Sequence, residues 1–457
     1  MHIFFSGIGG TGIGPLALIA KQAGYEVSGS DSQDSQYLKY LTHALKLDAP
    51  QSDYRLLHSG FSAGQASQGS IHVGQSAEKL AEVHARRPID WFVYSSALPK
   101  TDPNHPELAY VIENGIRASK RDEFLNEILS EKNLKLIAIA GTHGKTTTTA
   151  MAIWLFKQLG VPVTYSVGTK ISFGKMGQYE PGSQYFIYEA DEYDRNFLAF
   201  HPYMSLITGL DWDHPDIYPT REEYYKAFKD FISQSAWTVL WQEDADKLAL
   251  APAKNRMVLN DKDQDIDKFK LAGLVNRQNA WLTAKAMFEV VDKPLEQLIE
   301  ILNKFPGLYR RFEELAPNIY SDYAHTPGKI RGALQLAQEV AGDNVVVIYE
   351  GLHNLRQHFI KDQLKNLFDD VKQLYIVPTY LAREDPKLPT LSPDDIKDLL
   401  SKKAQTKASA AALDEDLKQK IIQHTAQGDT VLCLSAGGAG GLDEWLRRQF
   451  ASTSILT

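Results

Sequence analysis

Short apolar runs alternate with stretches of helical periodicity along most of this 457-residue chain. Runs of about four to eight apolar residues, each followed by an amphipathic segment, are typical of parallel β-strands joined by crossover helices. The predicted strands lie at 2–5, 25–31, 91–96, 134–140, 185–190, 204–208, 237–241, 345–350, 373–378 and 430–435. The pattern predicts an α/β protein.

The predicted strands fall into three blocks along the chain. Each block either begins with a strand, a glycine-rich turn and a helix or ends with a glycine-rich turn. At about 100–200 residues per domain, the length also favours several domains. We therefore predict three α/β domains with a ligand site between them.

Composition narrows the class of protein. The formal net charge is -8, and no Lys/Arg-rich run is present, so we expect no nucleic-acid partner. The single cysteine, Cys433, lies in an apolar run and is interpreted as a buried strand residue, which suits a reducing cytosol. No signal-peptide layout and no apolar run long enough for a bilayer are present, which favours a cytoplasmic protein without a membrane partner.

The strongest motif follows the predicted strand at 134–140. It reads GTHGKTT and comprises Gly141, Thr142, His143, Gly144, Lys145, Thr146 and Thr147. Glycines let the backbone curl around a phosphate, a lysine at this position meets the β- and γ-phosphates, and the next hydroxyl binds Mg²⁺. Ile139 stands where the usual phosphate loop has a glycine, so this is a shorter variant. The alternative is a glycine-capped turn with a solvated lysine; in both cases we expect Lys145 to be exposed at the loop tip.

Acidic residues follow two further predicted strands. The carboxyl ends of parallel strands face the ligand crevice, and carboxylates there can hold Mg²⁺ beside nucleotide phosphates. A solvated loop is the alternative for the second group, which contains a histidine. The residues are Glu189, Asp191 and Glu192 in the first group, and Asp211, Asp213, His214 and Asp216 in the second.

A second glycine loop follows the first strand. Gly7, Gly9, Gly10 and Gly12 precede a helix, and Asp31 ends the next strand, roughly the separation of a dinucleotide-binding fingerprint. Taken alone, this motif favours a nicotinamide-dependent oxidoreductase. The phosphate loop at 141–147 argues against that class, because a dehydrogenase does not need it. A nucleotide-binding regulatory protein without catalysis remains a third alternative.

Taken in order, these motifs resemble those of the Mur ligases of peptidoglycan synthesis, most closely the branch that joins L-alanine to UDP-N-acetylmuramate. The first glycine loop with GSD (29–31), SSA (95–97) and KRDEFLNEIL (120–129) are similar to that branch's UDP-sugar region. AGTHGKTTTTA, EADEYD and DHPDIY resemble the ATP loop and two magnesium segments. GLVNRQNAWLTAKA is similar to the adenine-side helix. RRF (310–312) and DYAHTP (322–327) resemble the start of a third domain.

The resemblance implies a fold, an activity and cofactors. The expected domains are a Rossmann-like UDP-sugar-binding domain (1–116), a P-loop ATPase domain (117–308) and a Rossmann-like C-terminal domain (309–457), which closes on ATP and binds the amino acid. The expected activity is ATP- and Mg²⁺-dependent amide ligation through an acyl phosphate. The tripeptide-recycling ligase of the same family is the alternative, and the amine donor could also be glycine or L-serine.

The resemblance also implies site residues. The expected catalytic residues are Lys145, His325 and Arg356. The expected Mg²⁺ ligands are Thr146, Glu189 and His214. The expected ATP-binding residues are Gly141, Thr142, His143, Gly144, Lys145, Thr146, Thr147, Asn276, Asn279, Arg311 and Asp322. The expected UDP-sugar-binding residues are Gly7, Gly9, Gly10, Thr11, Gly12, Asp31, Ser95 and Ser96. The chain departs from the family pattern at Gln75, Val275 and Leu352, each of which replaces a family histidine.

Overall fold

The computed structural model describes residues 1–34, 36–45, 69–96, 98–214, 217–381, 384, 387–438 and 440–451. Three residues of the predicted motifs, Ala97, Pro215 and Asp216, lie outside this set. The chain divides into two compact units, Met1–Asp263 with Leu282–Leu302, and Gln264–Trp281 with Asn303–Thr457. Its strands form three sheets, as the three predicted blocks require.

The first sheet is built from the N-terminal part of the first unit. Its elements are β1 (His2–Ser6), α1 (Gly14–Gln22), β2 (Glu26–Asp31), α2 (Gln36–Leu45), β3 (Ile71–Val73), α3 (Ala77–Arg86), β4 (Trp91–Tyr94), α4 (Leu98–Thr101), α5 (Pro106–Glu113), β5 (Arg117–Lys120) and α6 (Arg121–Glu131). The strands are parallel in the order β3-β2-β1-β4-β5. All five residues of β1 are buried, as expected for a strand covered on both faces.

The second sheet completes the first unit. Its elements are β6 (Lys135–Ala140), α7 (Lys145–Gln158), β7 (Thr164–Ser166), β8 (Gly177–Gln178), β9 (Tyr185–Glu189), β10 (Met204–Ile207), α8 (Arg221–Gln234), β11 (Trp237–Trp241), α9 (Gln242–Lys247) and β12 (Arg256–Leu259). The strand order is β12-β11-β10-β6-β9-β7-β8, and only the β7–β8 pair is antiparallel. One apolar core extends from the first sheet's helices to this sheet.

Two helices lie between the second and third sheets in sequence. They are α10 (Leu274–Phe288) and α11 (Leu295–Leu302). The third sheet and its helices are β13 (Glu313–Ala316), β14 (Ile319–Asp322), α12 (Pro327–Ala341), β15 (Val345–Leu352), α13 (Asn354–Leu364), β16 (Gln373–Tyr380), α14 (Pro393–Asp398), α15 (Lys402–Gln405), β17 (Ala408–Ala410), α16 (Glu415–Ala426), β18 (Thr430–Leu434) and α17 (Leu442–Phe450). The order is β13-β14-β18-β15-β16-β17, and only β13–β14 is antiparallel.

Every strand predicted from an apolar run is confirmed, and the α/β class with it. The buried side chain of Cys433 lies in β18, as predicted. Among the described residues, no helix is both long enough and apolar enough to cross a membrane. The predicted domain boundaries at 116/117 and 308/309 stay predictions.

Candidate functional site

The phosphate loop connects β6 to α7 through two glycines with positive φ. Gly141 has φ +136°, and a Cβ there would lie 2.5 Å from the Thr208 hydroxyl oxygen. Gly144 has φ +77° and caps α7 in the left-handed region, which side chains with a Cβ rarely adopt. The Thr142 hydroxyl donates to the Asp211 carbonyl at 2.6 Å, which ties the loop to the segment after β10. The loop therefore presents the N-terminus of α7, where free N–H groups can bind a phosphate.

Lys145 begins α7, and the expectation that it is exposed is wrong. Its ammonium lies 2.9 Å from Oε1 and 2.8 Å from Oε2 of Glu192, and its side chain is only 16% exposed. Burial by itself lowers the pKa of Lys145, but the Glu192 carboxylate and neighbouring acids outweigh it, so the pKa lies above the usual value. The lysine therefore remains charged, and it is largely shielded from solvent because the acidic segment after β9 folds over the loop.

The acidic end of β9 meets the first turn of α7. Thr146 Oγ1 donates to Glu189 Oε1 at 2.7 Å, and the Gly168 amide donates to Glu189 Oε2 at 2.9 Å. The two segments meet because β6 and β9 are neighbouring parallel strands, with Ile139 opposite Glu189. Hydroxyl and carboxylate oxygens are the ligands that Mg²⁺ prefers, so this pair fits the predicted metal.

The third predicted metal ligand, His214, lies beside a different acid. Its Nε2 is 3.7 Å from Glu192 Oε1 and 3.9 Å from Asp213 Oδ2. Among the described residues, no three Asp, Glu, His or Cys side chains form a ready-made metal cluster. Glu192 is among the acids predicted at the end of β9 but not among the expected Mg²⁺ ligands; the structure places it between Lys145 and His214.

The first glycine loop is fastened to the end of β2. The Gly9 amide donates to Asp31 Oδ2 at 2.8 Å, and Gly7 has φ +77°. A Cβ on Gly9 would lie 2.8 Å from the same carboxylate oxygen, so a side chain there would displace the carboxylate from the loop. Thr11 is exposed and Gly12 is partly exposed at the start of α1. Asp31 thus shapes the loop, and its expected part in binding the UDP-sugar stays a prediction.

The carboxyl edge of the first sheet contacts the segment that follows β9. The Asn196 side-chain amide donates to Ser96 Oγ at 3.3 Å, and Arg121 Nη2 donates to Asp191 Oδ2 at 2.9 Å. Ser95 is partly exposed beside Ser96. Both glycine loops therefore belong to one unit, and strand ends from both sheets meet there.

Gln75 belongs to a chain of polar side chains behind the first loop. Its amide donates to Ser6 Oγ at 2.8 Å, and the Ser6 hydroxyl donates to Glu107 Oε2 at 2.6 Å. Glu107 is almost fully buried, and burial raises its pKa from 4.5 to about 7 against the lowering effect of the Ser6 and Ser30 hydroxyls. Gln75 stands where the family pattern has a histidine, and its hydrogen bond to Ser6 supports the end of β1.

We expect Glu107→Gln to stabilise the protein at pH 8 but not at pH 5. Because folding raises this pKa, the protonated carboxyl contributes stability below pH 4.5, and that contribution is lost as the pH rises through about 7. The linked free energy is about 2–3 kcal/mol. Urea unfolding at both pH values measures it, with the exposed Glu113→Gln on α5 as control. An equal effect of Glu107→Gln at both pH values would contradict this account.

In the second unit, three predicted residues gather around β14. Asp322 accepts hydrogen bonds from the Phe312 and Ala324 amides at 2.8 Å each. Burial raises the pKa of Asp322, and the nearby Arg311 opposes the rise. The guanidinium of Arg311 lies 4.9 Å from the Tyr323 ring centroid, and that ring packs edge-on against the buried His325. The structure thus brings Arg311, Asp322 and His325 together.

The remaining predicted residues occupy two helices. Arg356 lies in the first turn of α13, directly after β15, whose carboxyl end shares a sheet edge with that of β14. Asn276 and the buried Asn279 are spaced for one face of α10, and Val275 beside them is exposed. Leu352, at a family histidine position, ends β15 as a buried residue.

Models of known protein families match segments that contain strands of each of the three sheets. Residues 2–44 match the model described as Mur ligase family, catalytic domain, residues 139–284 match the Mur ligase middle domain, and residues 310–437 match the Mur ligase, glutamate ligase domain. The chain belongs to the Mur ligase family. It is therefore an ATP-dependent ligase that forms amide bonds, and the oxidoreductase alternative is set aside.

Relatives match over nearly the whole Mur ligase chain. The UDP-N-acetylmuramate–L-alanine ligase of Renibacterium salmoninarum is 29% identical and covers 95% of this chain and 93% of its own. The enzyme of the same name from Clostridium perfringens is 27% identical, with 95% of both chains covered. Among solved structures, the UDP-N-acetylmuramate–alanine ligase of Thermotoga maritima aligns with a TM-score of 0.71 at 23% identity over 98% of both chains, which establishes the three-domain fold. A murein peptide ligase from Psychrobacter arcticus aligns with a TM-score of 0.62 at 21% identity, again over 98% of both.

Proposed function

We propose that this Mur ligase joins L-alanine to the carboxylate of UDP-N-acetylmuramate, with ATP as the energy source, in peptidoglycan synthesis. The observation that carries the proposal is the pairing of Lys145 and Thr146 with the acids at the end of β9, in the same unit as a second glycine loop. The relatives with this name, matched from end to end, support L-alanine and UDP-N-acetylmuramate as substrates. A cytoplasmic location is part of the proposal.

The proposed reaction has two chemical steps. The substrate carboxylate attacks the γ-phosphate of ATP, the bond from that phosphate to ADP breaks, and an acyl phosphate forms. The amine of L-alanine then attacks the acyl carbon, a tetrahedral intermediate forms, the amine loses a proton, and phosphate leaves. Transfer of a phosphoryl group depends mainly on positioning and on charge neutralisation.

The residues of the phosphate loop take defined parts in the first step. Lys145 would exchange Glu192 for the β- and γ-phosphates, while N–H groups at the start of α7 bind the same oxygens. Thr146 and Glu189 would hold Mg²⁺, with His214 as a less usual third ligand. The metal would supply positive charge on the phosphate oxygens. Thr142 and His143, both bonded to Asp211, would keep the loop in shape.

In the second unit, we propose roles for the residues that lie at one sheet edge. His325, whose Nδ1 lies 2.8 Å from the Tyr323 carbonyl, and Arg356 would orient the incoming amino acid. Arg311, Asp322, Asn276 and Asn279 would bind ATP, as the family motifs imply. His358, a neighbour of Arg356, is bonded to the Pro389 carbonyl at 2.9 Å.

The test is phosphate release from ATP in the presence of Mg²⁺. Release should require both UDP-N-acetylmuramate and L-alanine, and mass spectrometry should find the L-alanyl product. Glycine, L-serine and the tripeptide L-alanyl-γ-D-glutamyl-meso-diaminopimelate form the comparison panel. Faster product formation with the tripeptide at equal subsaturating concentrations would replace L-alanine as the donor and leave the ligase chemistry intact. Release without the sugar nucleotide would contradict the proposal.

We expect Arg356→Ala to raise the KM for L-alanine by about 10-fold or more, because a guanidinium–carboxylate hydrogen bond contributes about 1.5–3 kcal/mol. The KM for ATP should stay within about two-fold. Steady-state kinetics measures both, with Lys361→Ala, an exposed cation further along α13, as the control. Unchanged affinity for L-alanine in Arg356→Ala would remove this residue from the amino-acid site.

A further inference from the structure

Arg121 is a buried cation for which the proposed mechanism has no use. It is the first residue of α6, follows β5 directly, and is only 8% exposed. A charged side chain is rarely buried to this extent unless it is paired or bound to a ligand. Its surroundings therefore indicate what it does.

The guanidinium lies between the first glycine loop and the acidic segment after β9. Nη2 donates to Asp191 Oδ2 at 2.9 Å, and Nε lies 3.5 Å from Asp122 Oδ1. The third nitrogen, Nη1, lies against Gly12, where an added Cβ would be only 2.0 Å away. A side chain at position 12 would therefore displace the guanidinium from the loop.

The contacts leave one donor group available at the loop. Within the part of the chain that the structure describes, Nη1 has no hydrogen-bond acceptor, whereas Nη2 is held by Asp191. The two acids beside Arg121 differ in their surroundings. The side chain of Asp191 is 39% exposed. Asp122 is buried, and burial raises its pKa to about 6 although Arg121 acts to lower it. A planar guanidinium fixed along one edge can present its other edge to a phosphate.

We propose that Arg121 binds the diphosphate of the sugar nucleotide on the first glycine loop, and that Asp191 orients it for this contact. The inference rests on the proposed function, because it takes a UDP-linked sugar as the ligand of the loop. The diphosphate is favoured over the sugar's carboxylate because Nη1 lies at the loop itself, where the N-terminus of α1 favours phosphate. Asp191 stands in the same acidic run as Glu189 and Glu192, so one side chain joins the sugar-nucleotide loop to the ATP loop.

The test is binding of three probes to the full chain by calorimetry: UDP, UDP-N-acetylglucosamine, which has no lactyl carboxylate, and UDP-N-acetylmuramate. Arg121→Gln should weaken all three by about 10-fold or more, as expected for loss of a charge-assisted contact. Binding of a non-hydrolysable ATP analogue should stay within about two-fold. Asp191→Asn, which loses the orienting charge, should weaken UDP by a smaller factor.

Controls separate binding from folding. Arg117 lies on β5, where both terminal nitrogens bind Glu127 and the guanidinium stacks 3.6 Å from the Trp91 ring centroid. Arg117→Gln should lower the melting temperature but leave UDP binding unchanged. If Arg121→Gln does not fold, Arg121→Lys carries the test, because it keeps the charge and loses the planar fork; a several-fold loss of UDP affinity is then expected.

Two results would overturn the inference. Unchanged UDP binding in folded Arg121 variants would remove the residue from the sugar-nucleotide site. A loss confined to UDP-N-acetylmuramate would assign Arg121 to the carboxylate instead of the diphosphate. Failure of the proposed function is distinguishable, because a wild-type protein that binds UDP but forms no L-alanyl product contradicts the function and still permits the binding test.

Discussion

Lys145→Ala is expected to reduce ligation by about 10²–10³-fold or more, because a transferring phosphoryl group loses one of its preorganised positive charges. The measurement is release of phosphate with all substrates saturating. Lys157→Ala is the matched control, since Lys157 lies in the last turn of the same helix and donates to the Phe173 carbonyl. Near-normal turnover in Lys145→Ala at saturating ATP would disprove the assignment of the loop.

The same substitution should also destabilise the protein. Glu192 is only 2% exposed on its side chain and would lose the ammonium that balances its charge. Removing one partner of a buried ion pair costs about 3–5 kcal/mol, and the partial exposure of Lys145 places this pair at or below the lower end. The double variant Lys145→Ala/Glu192→Gln should recover stability in urea unfolding but not activity. Recovery of activity would show that the loss in the single variant came from misfolding.

Glu189→Gln is expected to raise the Mg²⁺ concentration for half-maximal activity by at least about ten-fold, because a direct carboxylate ligand loses its charge. The glutamine oxygen can accept from the Gly168 amide, and the Thr146 hydroxyl can turn to accept from the glutamine NH2, so the fold should be kept. His214→Ala should produce a smaller shift, since histidine is a less usual Mg²⁺ ligand and this one lies beside Glu192.

A magnesium titration of activity at fixed free ATP makes the comparison. Glu180→Gln is the control, because Glu180 precedes the amino end of β9, whereas Glu189 ends the strand. A half-maximal Mg²⁺ concentration in Glu189→Gln equal to that of the wild type would exclude Glu189 as a ligand. The same result for His214→Ala would exclude only the histidine and would leave Glu192 as the next acid to test.

The sequence by itself determined the α/β class, the main strands and the two glycine loops. Buried parallel strands appear as continuous apolar runs, and the positive φ of Gly141 and Gly144 requires glycine whatever surrounds them. Eight further strands of the described chain, each of two to four residues, were not predicted, because so few residues show no hydrophobic alternation. They are β3, β5, β7, β8, β12, β13, β14 and β17. The threonines at 147–149 favour a helix poorly, yet they lie in α7 because tertiary packing buries them.

Only the tertiary structure decided which charged groups meet. Lys145 and Glu192 are 47 residues apart in sequence and come together because β6 and β9 are adjacent in the second sheet. Arg121 and Asp191 are 70 residues apart, and their contact joins the edges of two different sheets. Sequence patterns report local periodicity and backbone requirements, whereas these pairings depend on strand order. For that reason Lys145, expected to be exposed, is a largely buried residue paired with Glu192, and Arg121 became a candidate for function only in the folded chain.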